Sequence, residues 1–544
     1  MKVAGACTVG RNCRIFKENE RAGDPMAAAR QDVDCDVLVV GGGINGAGIA
    51  RDVAGRGLCV ALCERDDLAS HTSSASTKLI HGGLRYLEHY EFGLVRKALA
   101  EREVLLRAAP HVVRPLRFVM PHTGQRPAAL IRAGLFLYDR LARRELLPGS
   151  ESVQLPAHPA GRALRPAFRQ AFVYSDAWVD DARLVVLNAV DAAQKGACIL
   201  TRTACTEARR ENGAWRVTLR KADGTHKQIA VRAIVNAAGP WAAAFLDGAV
   251  HATGAARAPT KLRLVKGSHI VVRRIFDHDD AYLFQHDDGR IVFAIPYERD
   301  FTLIGTTDVE YVGDPAAVAI DEGEIRYLCG VASHYFQAPV TPADVVWSFA
   351  GVRPLLDDAS AKASAVTRDY RLQMDDEGAP LLTVFGGKLT TYRKLAEGAA
   401  DLVCKALGHR AGAWTAGACL PGGDLFGAVP DSRSVLEFDG WRSRLQVQYG
   451  WLDCPLIARY ARAYGTRIHT LLQGRAAMVD MGEQVLPGLY EAELDYLRRH
   501  EWAVTADDIL WRRTKLGLHL PPDAPAVLDA WLGAHPLPAK AASK

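Results

Sequence analysis

The stretch DCDVLVVGGGINGAGIARDVAGRGLCVALCERDD, residues 34–67, constrains this chain more than any other. Its apolar, β-branched run Val37–Val40 reads as a strand buried on both faces. Gly41, Gly43 and Gly46 follow with G-x-G-x-x-G spacing. The first glycine permits a tight turn, the second a close backbone approach to a pyrophosphate, and the third close packing of helix on strand. A helix opening there offers unpaired N–H groups and its positive dipole end to the same anion. A second apolar strand, Cys59–Cys63, ends in Glu64, where a carboxylate accepts from a ribose hydroxyl. A plain βαβ turn would leave the three glycines and Glu64 without a common reason. The unit predicts a dinucleotide site in an α/β fold, and it does not by itself separate FAD from NAD.

Three later stretches carry chemistry without declaring it. STKLIHGGLRY, residues 76–86, puts two hydroxyls, a lysine, a histidine, a glycine pair, an arginine and a tyrosine into eleven residues. Helix periodicity does not explain it, and a half-buried strand would not want the glycine pair. It is either a charged surface turn or a backbone pressed against a flat ligand. AIVNAAGPW, residues 233–241, is an apolar strand closing on small residues. FGGKLTTYRKLAEGAADLVCKAL opens on Gly386 and Gly387 and runs into an amphipathic helix from about Leu389, where Thr390 and Thr391 can satisfy first-turn N–H groups.

In order along the chain, GGGINGAGIARD, TSSASTKLIHGGLRYLEHYEF, YSDAWVDDARL, KGSHIVV, IGTTDVEY, GVRPL and FGGKLTTYRKLAE resemble the blocks of the FAD-dependent glycerol-3-phosphate dehydrogenases, with the bacterial aerobic, quinone-linked branch most similar. The resemblance runs from about Asp34 into the C-terminal region. It implies non-covalent FAD held by Gly41, Gly43, Asn45, Gly46, Glu64, Thr72, Ser73, Ser74, Ser76, Lys78, His81, Gly82, Gly83, Gly239, Gly387, Lys388, Leu389 and Thr390. The hydroxyls and Lys78 would line the flavin, and Gly82 and Gly83 would let the backbone pass close to its ring. It also implies phosphate and hydroxyl contacts by Arg85, Tyr86, Thr306, Arg353 and Lys388. Three cations would suit a dianionic phosphate, because guanidinium forks bind its oxygens bidentately and ammonium adds a point charge. Their convergence is implied by the resemblance and not by spacing. His269, after Gly-Ser and before an apolar run, is either a satisfied core histidine or a general base at a cavity edge. Arg353 competes with it for steering the substrate hydroxyl proton.

The implied reaction is oxidation of sn-glycerol 3-phosphate to dihydroxyacetone phosphate, with the C2 hydride passing to FAD N5 and electrons to ubiquinone or menaquinone. An oxidase of the same fold using oxygen is the nearest rival. An amine or amino-acid oxidase, or a flavin-binding regulator or membrane scaffold without turnover, is more remote.

The expected fold is an FAD-binding Rossmann-like layer of the glutathione-reductase/D-amino-acid-oxidase type with an antiparallel substrate sheet and a C-terminal helical domain. The FAD layer is expected from 34–110, 179–254 and 351–408, the substrate domain from 111–178 and 255–350, and the helical domain from 409–544. Residues 1–33 read as a disordered arm or an over-extended reading frame with Met26 as the natural start. They lack a signal peptide's apolar centre, and their acidic residues do not suit a mitochondrial presequence. Eleven cysteines with no zinc-like spacing suggest a reducing compartment and no metal site. A net charge of +5 is too small to imply nucleic acid. No apolar run is long enough for a transmembrane helix. RPAALIRAGLFLYDRLARRELLPG, residues 126–149, mixes Leu130, Ile131, Leu135, Phe136, Leu137 and Leu141 with five arginines. Such a helix lies in an anionic lipid interface or packs on the core. The first reading agrees with a peripheral enzyme on the cytoplasmic face of a bacterial inner membrane, and a homodimer is compatible with everything above.

Overall fold

The structure, a computed structural model, describes residues 33–251, 262–286, 288–356 and 369–537. The expected N-terminal arm, apart from Val33, and the Met26 start lie outside the described residues. β1 (Cys35–Val40), α1 (Ile44–Gly55) and β2 (Val60–Cys63) form the predicted unit, with β1 and β2 parallel. Alternation explains why β1 is apolar throughout. Val37 and Val39 face a core shared with α1 and the helices Asp181–Gln194 and Tyr392–Ala406. Leu38 and Val40 face a second core built around Trp215.

Beyond β2 the parallel layer continues into Cys198–Leu200; on the other side of β1 come His226–Asn236 and Leu381–Phe385. His226–Asn236 serves twice. Its first half closes an antiparallel meander with Ala214–Lys221 and Thr203–Glu211, and its second half enters the parallel layer. Cys63 is buried in the Trp215 core, and Cys59 packs half-buried beside it.

A ten-stranded sheet forms the second layer. Its long strands Leu262–Arg273, Phe301–Gly305, Ile291–Tyr297, Val113–Pro121 and Gln170–Val179 pair antiparallel, but Ala281–Gln285 joins Val113–Pro121 in parallel, so the sheet is mixed. One of its strands comes wholly from a segment expected in the FAD layer, and another in part. Leu79–Ile80 pairs with Gln170–Val179, and Val345–Leu356 pairs with Leu262–Arg273 along its length. The boundary expected at Gly351 therefore falls inside one continuous strand, with Gly351 opposite Gly267.

The C-terminal region has its own core on the helices Phe438–Gln448, Cys454–Tyr464, Glu491–His500 and Ala524–Ala534. It is fastened to the FAD layer by charged groups. Asp67, just past β2, accepts from Arg512 at 2.7 Å and from Arg513 at 2.8 and 2.9 Å. Glu501 takes a two-pronged bond from Arg183, and Asp508 pairs with Arg202 at 2.6 Å.

Among the described residues no helix is long and apolar enough to cross a membrane. The helix Ala128–Arg140 divides its apolar residues between the two fates weighed from sequence. Leu135 and Tyr138 are buried in the core, while Leu130, Phe136 and Leu137 are 62%, 53% and 39% exposed.

Candidate active site

A cavity of about 650 Å3 runs between the parallel layer and the ten-stranded sheet. At one end it meets the β1–α1 turn. Gly41 sits at φ +110°, and a Cβ there would lie 2.5 Å from the Ala237 carbonyl oxygen. Gly43 and Asn45 line the cavity. Gly46 does not: a Cβ on it would lie 1.9 Å from the Gly41 carbonyl oxygen, so its role is the packing one expected of the third glycine. Glu64 lines the cavity and accepts from the Gly42 and Asp66 N–H groups at 2.6 and 2.9 Å. Burial raises its carboxyl above the ordinary range, and those two bonds pull against the rise. Ser73 Oγ accepts from the first helical N–H, that of Ile44, at 3.0 Å.

The crossing segment Thr72–Tyr86 passes from this end to the other. Thr72 Oγ1 donates to the Val352 carbonyl at 2.7 Å, tying the loop to the substrate sheet. Thr72, Ser73, Ser76 and His81 line the cavity as expected. Ser74 turns back to the His71 carbonyl and Lys78 is wholly buried, so neither lines it. The Lys78 ammonium donates to Asp181 Oδ1 at 2.8 Å and to the Ser74 carbonyl at 2.9 Å, because a buried charge needs a counter-charge and accepting groups. Ser76 Oγ donates to the same carboxylate at 2.7 Å. Gly82 and Gly83 also lie off the lining. The Gly82 N–H donates to Tyr138 Oη at 2.9 Å, and a Cβ there would strike Tyr138 and Leu99; Gly83 at φ +77° starts the turn Leu84–His89. The pair serves packing and a turn.

Lys388 Nζ sits 3.9 Å above the Tyr86 ring, and both line the cavity. Arg353 donates to Asp308 Oδ1 at 2.5 Å and to Thr306 Oγ1 at 3.0 Å. A Cβ on Gly267 would lie 2.3 Å from the Arg353 guanidinium, so that glycine is the space the arginine occupies. Gly239, Gly387, Leu389 and Thr390 complete the predicted lining. Thr390 accepts the His81 N–H at 3.4 Å instead of capping its helix, and no side chain caps that helix start.

Arg85 departs from expectation: it is half-buried and off the lining. Leu84–His89 is a 3-10 turn, in which successive side chains point about 120° apart, so presenting Tyr86 to the cavity turns Arg85 away. His269 also lies off the lining, with no exposed surface. It stacks on Phe349 with ring centres 4.7 Å apart, and its Nε2 is 3.0 Å from Thr77 Oγ1. Burial, then the charges of Arg353 and Lys78, lower its pKa well below the ordinary 6.5, so the ring is neutral at pH 7. The cavity edge belongs to Thr77, one of the hydroxyls expected to line the flavin but not singled out as a site residue. In the run TSSAST nothing in the pattern tells which hydroxyl faces which way. Trp241 and Phe293, two further walls of the cavity, went unnoticed for the same reason.

The residues present fit FAD. The glycine turn leaves room where side chains would intrude, Glu64 stands at the end of β2, and Asn45 Oδ1 is a buried acceptor without a partner on the cavity wall. Residues 36–393 match the FAD-dependent oxidoreductase family, and residues 414–532 match the C-terminal domain of alpha-glycerophosphate oxidase. The chain belongs to the FAD-dependent oxidoreductases, and within them to the glycerol-3-phosphate dehydrogenases. It is 53% identical over 500 residues to the glycerol-3-phosphate dehydrogenase of Pseudomonas aeruginosa, covering 91% of this chain and 94% of that one. It is also 49% identical over 500 residues to the D-erythritol 1-phosphate dehydrogenase of Brucella abortus, covering 91% and 97%. The glycerol-3-phosphate dehydrogenase of Bacillus halodurans, solved with FAD, superposes with a TM-score of 0.74 at 28% identity, covering 93% of this chain and 92% of that one.

Proposed function

We propose that the protein oxidises sn-glycerol 3-phosphate at C2 to dihydroxyacetone phosphate and passes the electrons to a membrane quinone, ubiquinone or menaquinone. The observation that carries this reading is two cations, Arg353 and Lys388, on the lining of one cavity, with a neutral imidazole buried behind Thr77 of the same lining. Arg353, steadied by Asp308 and Thr306, and Lys388 over Tyr86 suit a phosphate dianion. Binding energy from the phosphate, remote from the reacting carbon, fixes C2 in place. Bound FAD supplies the two-electron acceptor, held without a covalent link. His269, neutral and next to the cavity, takes the hydroxyl proton. Arg353 has no lone pair to receive a proton, so its part is to hold charge.

A peripheral position on the cytoplasmic face of the membrane is supported by the exposed Leu130, Phe136 and Leu137 on a helix that also carries Arg132 and Arg140. A quinone is reached from the bilayer, which such a position provides.

The test is anaerobic addition of sn-glycerol 3-phosphate to the FAD-loaded protein while the flavin's visible absorbance is followed. Bleaching that glycerol and amino acids do not produce is expected. A flavin that stays oxidised refutes the reading, and faster bleaching by D-erythritol 1-phosphate moves the substrate to the four-carbon polyol phosphate. Reoxidation by a short-chain quinone should outpace reoxidation by oxygen; the reverse makes the protein an oxidase.

A further inference from the structure

We propose that Thr77 is the catalytic group that contacts the substrate hydroxyl and relays its proton to His269, which itself never touches the substrate. The inference rests on the reading just given. Thr77 lines the cavity, whereas His269 has no exposed surface and does not. Their only hydrogen bond to each other joins Thr77 Oγ1 and His269 Nε2 at 3.0 Å. A hydroxyl has one donor and two acceptor positions, so Thr77 keeps capacity towards the cavity after bonding the imidazole. Thr306, another hydroxyl on the lining, is already engaged by Arg353 and by the Thr307 carbonyl.

The ring cannot swing forward to replace the threonine. Phe349 stacks on one face of it, and Gly305, on the paired strand, comes so close that a Cβ there would lie 2.1 Å from the imidazole Cδ2. The strand Leu262–Arg273 is hydrogen-bonded on both sides, to Phe301–Gly305 and to Val345–Leu356, which fixes the backbone that carries the ring. Charged groups acting on the imidazole are Arg353 and Lys78. Both are cations, and they add to burial, the larger cause, in keeping it neutral.

The proton and electron count closes. The C2 hydroxyl proton moves to Thr77 Oγ as the threonine's own proton moves to His269 Nε2, leaving imidazolium. The hydride, with its electron pair, leaves C2 for the bound FAD, and the C2–O bond becomes a carbonyl. The relay requires the tautomer with the resting proton on Nδ1.

The experiment compares the FAD-loaded wild type with Thr77→Val, which keeps shape and loses the hydroxyl, and Thr77→Ser, which keeps the hydroxyl. Flavin reduction by sn-glycerol 3-phosphate is followed by anaerobic stopped flow across pH, in water and in deuterium oxide. Thr77→Val should lower the limiting reduction rate about 100-fold, the scale of lost general acid–base catalysis, with half-saturation little changed. It should also abolish the acidic limb of the pH profile and the solvent isotope effect. Thr77→Ser should restore all three. A valine variant with the wild-type rate and profile overturns the relay, and so does a serine variant as slow as valine. A wild type that no polyol phosphate reduces refutes the substrate reading instead, and the relay with it. Carbethoxylation by diethyl pyrocarbonate, read by peptide mass spectrometry, gives a measurement independent of turnover. His269 should label far more slowly than exposed His226 in the wild type and faster in Thr77→Ala. Equal labelling of the two histidines in the wild type would mean that the imidazole reaches the cavity unaided, which also overturns the relay.

Discussion

Replacing Asp181 by asparagine removes the counter-charge beneath the segment that crosses from cofactor to substrate. Asp181 accepts from Lys78 Nζ at 2.8 Å, Ser76 Oγ at 2.7 Å and the Ala182 N–H at 2.9 Å, and neither member of the ion pair is more than 1% exposed. Asparagine keeps the shape and can still accept from Ser76, but it strands the ammonium. Breaking one side of a buried pair costs about 3–5 kcal/mol. Lys78 has one escape, which is to release its proton. From its ordinary pKa of 10.5, release at pH 7 costs about 4.8 kcal/mol at 1.36 kcal/mol per unit, which caps the loss. At pH 9 the same cap is about 2 kcal/mol. In the variant the folded lysine has a pKa below that of the unfolded chain, so the unfolded chain binds the extra proton and stability rises with pH. In the native protein burial lowers Lys78 while Asp181 opposes it, and burial raises Asp181 while Lys78 outweighs it. The gap between Asp181→Asn and wild type should therefore narrow by about 1–3 kcal/mol between pH 7 and pH 9. Urea unfolding of the FAD-loaded proteins, followed by tryptophan fluorescence and flavin absorbance at each pH, measures it. A gap below about 1 kcal/mol at pH 7, the size of an ordinary surface change, refutes the argument, as does a gap that ignores pH.

His111 is buried near the junction with the C-terminal region, and burial, then the charges of Arg183 and Arg462, lower its pKa from 6.5 to about 3. Its folded pKa lies below the unfolded one, so stability is whole above pH 6.5 and is lost as pH falls; between pH 8 and 5.5 this histidine should account for about 1.4 kcal/mol. His111→Gln, compared by urea unfolding at both pH values, should lack that share of the loss. Arg353→Lys keeps a charge and loses the fork between Asp308 and Thr306. Because a hydrogen bond to a charged group is worth about 1.5–3 kcal/mol, reduction of the flavin by substrate should slow in kcat/KM by about 10–150-fold, with FAD content unchanged; an unchanged rate would remove Arg353 from the site. Gly46→Ala places a methyl 1.9 Å from the Gly41 carbonyl oxygen. The variant should be purified with much less flavin absorbance per chain and a lower Tm, and full flavin loading would show that the turn can yield.

The first layer could be read from the sequence because its signals are local. Four apolar residues, three spaced glycines and an acid at the next strand's end fall within some thirty positions, and each has a role set by its neighbours in the chain. The substrate end is decided by partners far away in sequence. Lys78 reads as a cofactor contact until Asp181, more than a hundred residues on, is seen to claim it. The boundary at Gly351 fails likewise. Eleven residues of Leu262–Arg273 run alongside and carry the strand straight through.

The same distinction separates the three cations. Arg353 comes from a strand of the ten-stranded sheet and Lys388 from the turn after a strand of the parallel layer, so their presence on one lining is a property of how two sheets face each other. No spacing could have shown it, and the resemblance supplied it. Arg85, which the resemblance also implies, lies next to Tyr86 yet off the cavity lining. In a tight 3-10 turn, immediate neighbours face different directions, so a tyrosine on the cavity wall is itself a reason for the arginine before it to be elsewhere. Thr77 and His269 invert the case. They are 192 residues apart and hydrogen-bonded. A short hydroxyl-rich run can place one oxygen against a buried ring only because the strand carrying that ring is fixed on both sides. The chemistry of the site is thus set less by which polar residues the chain carries than by which of them the sheets leave facing the cavity.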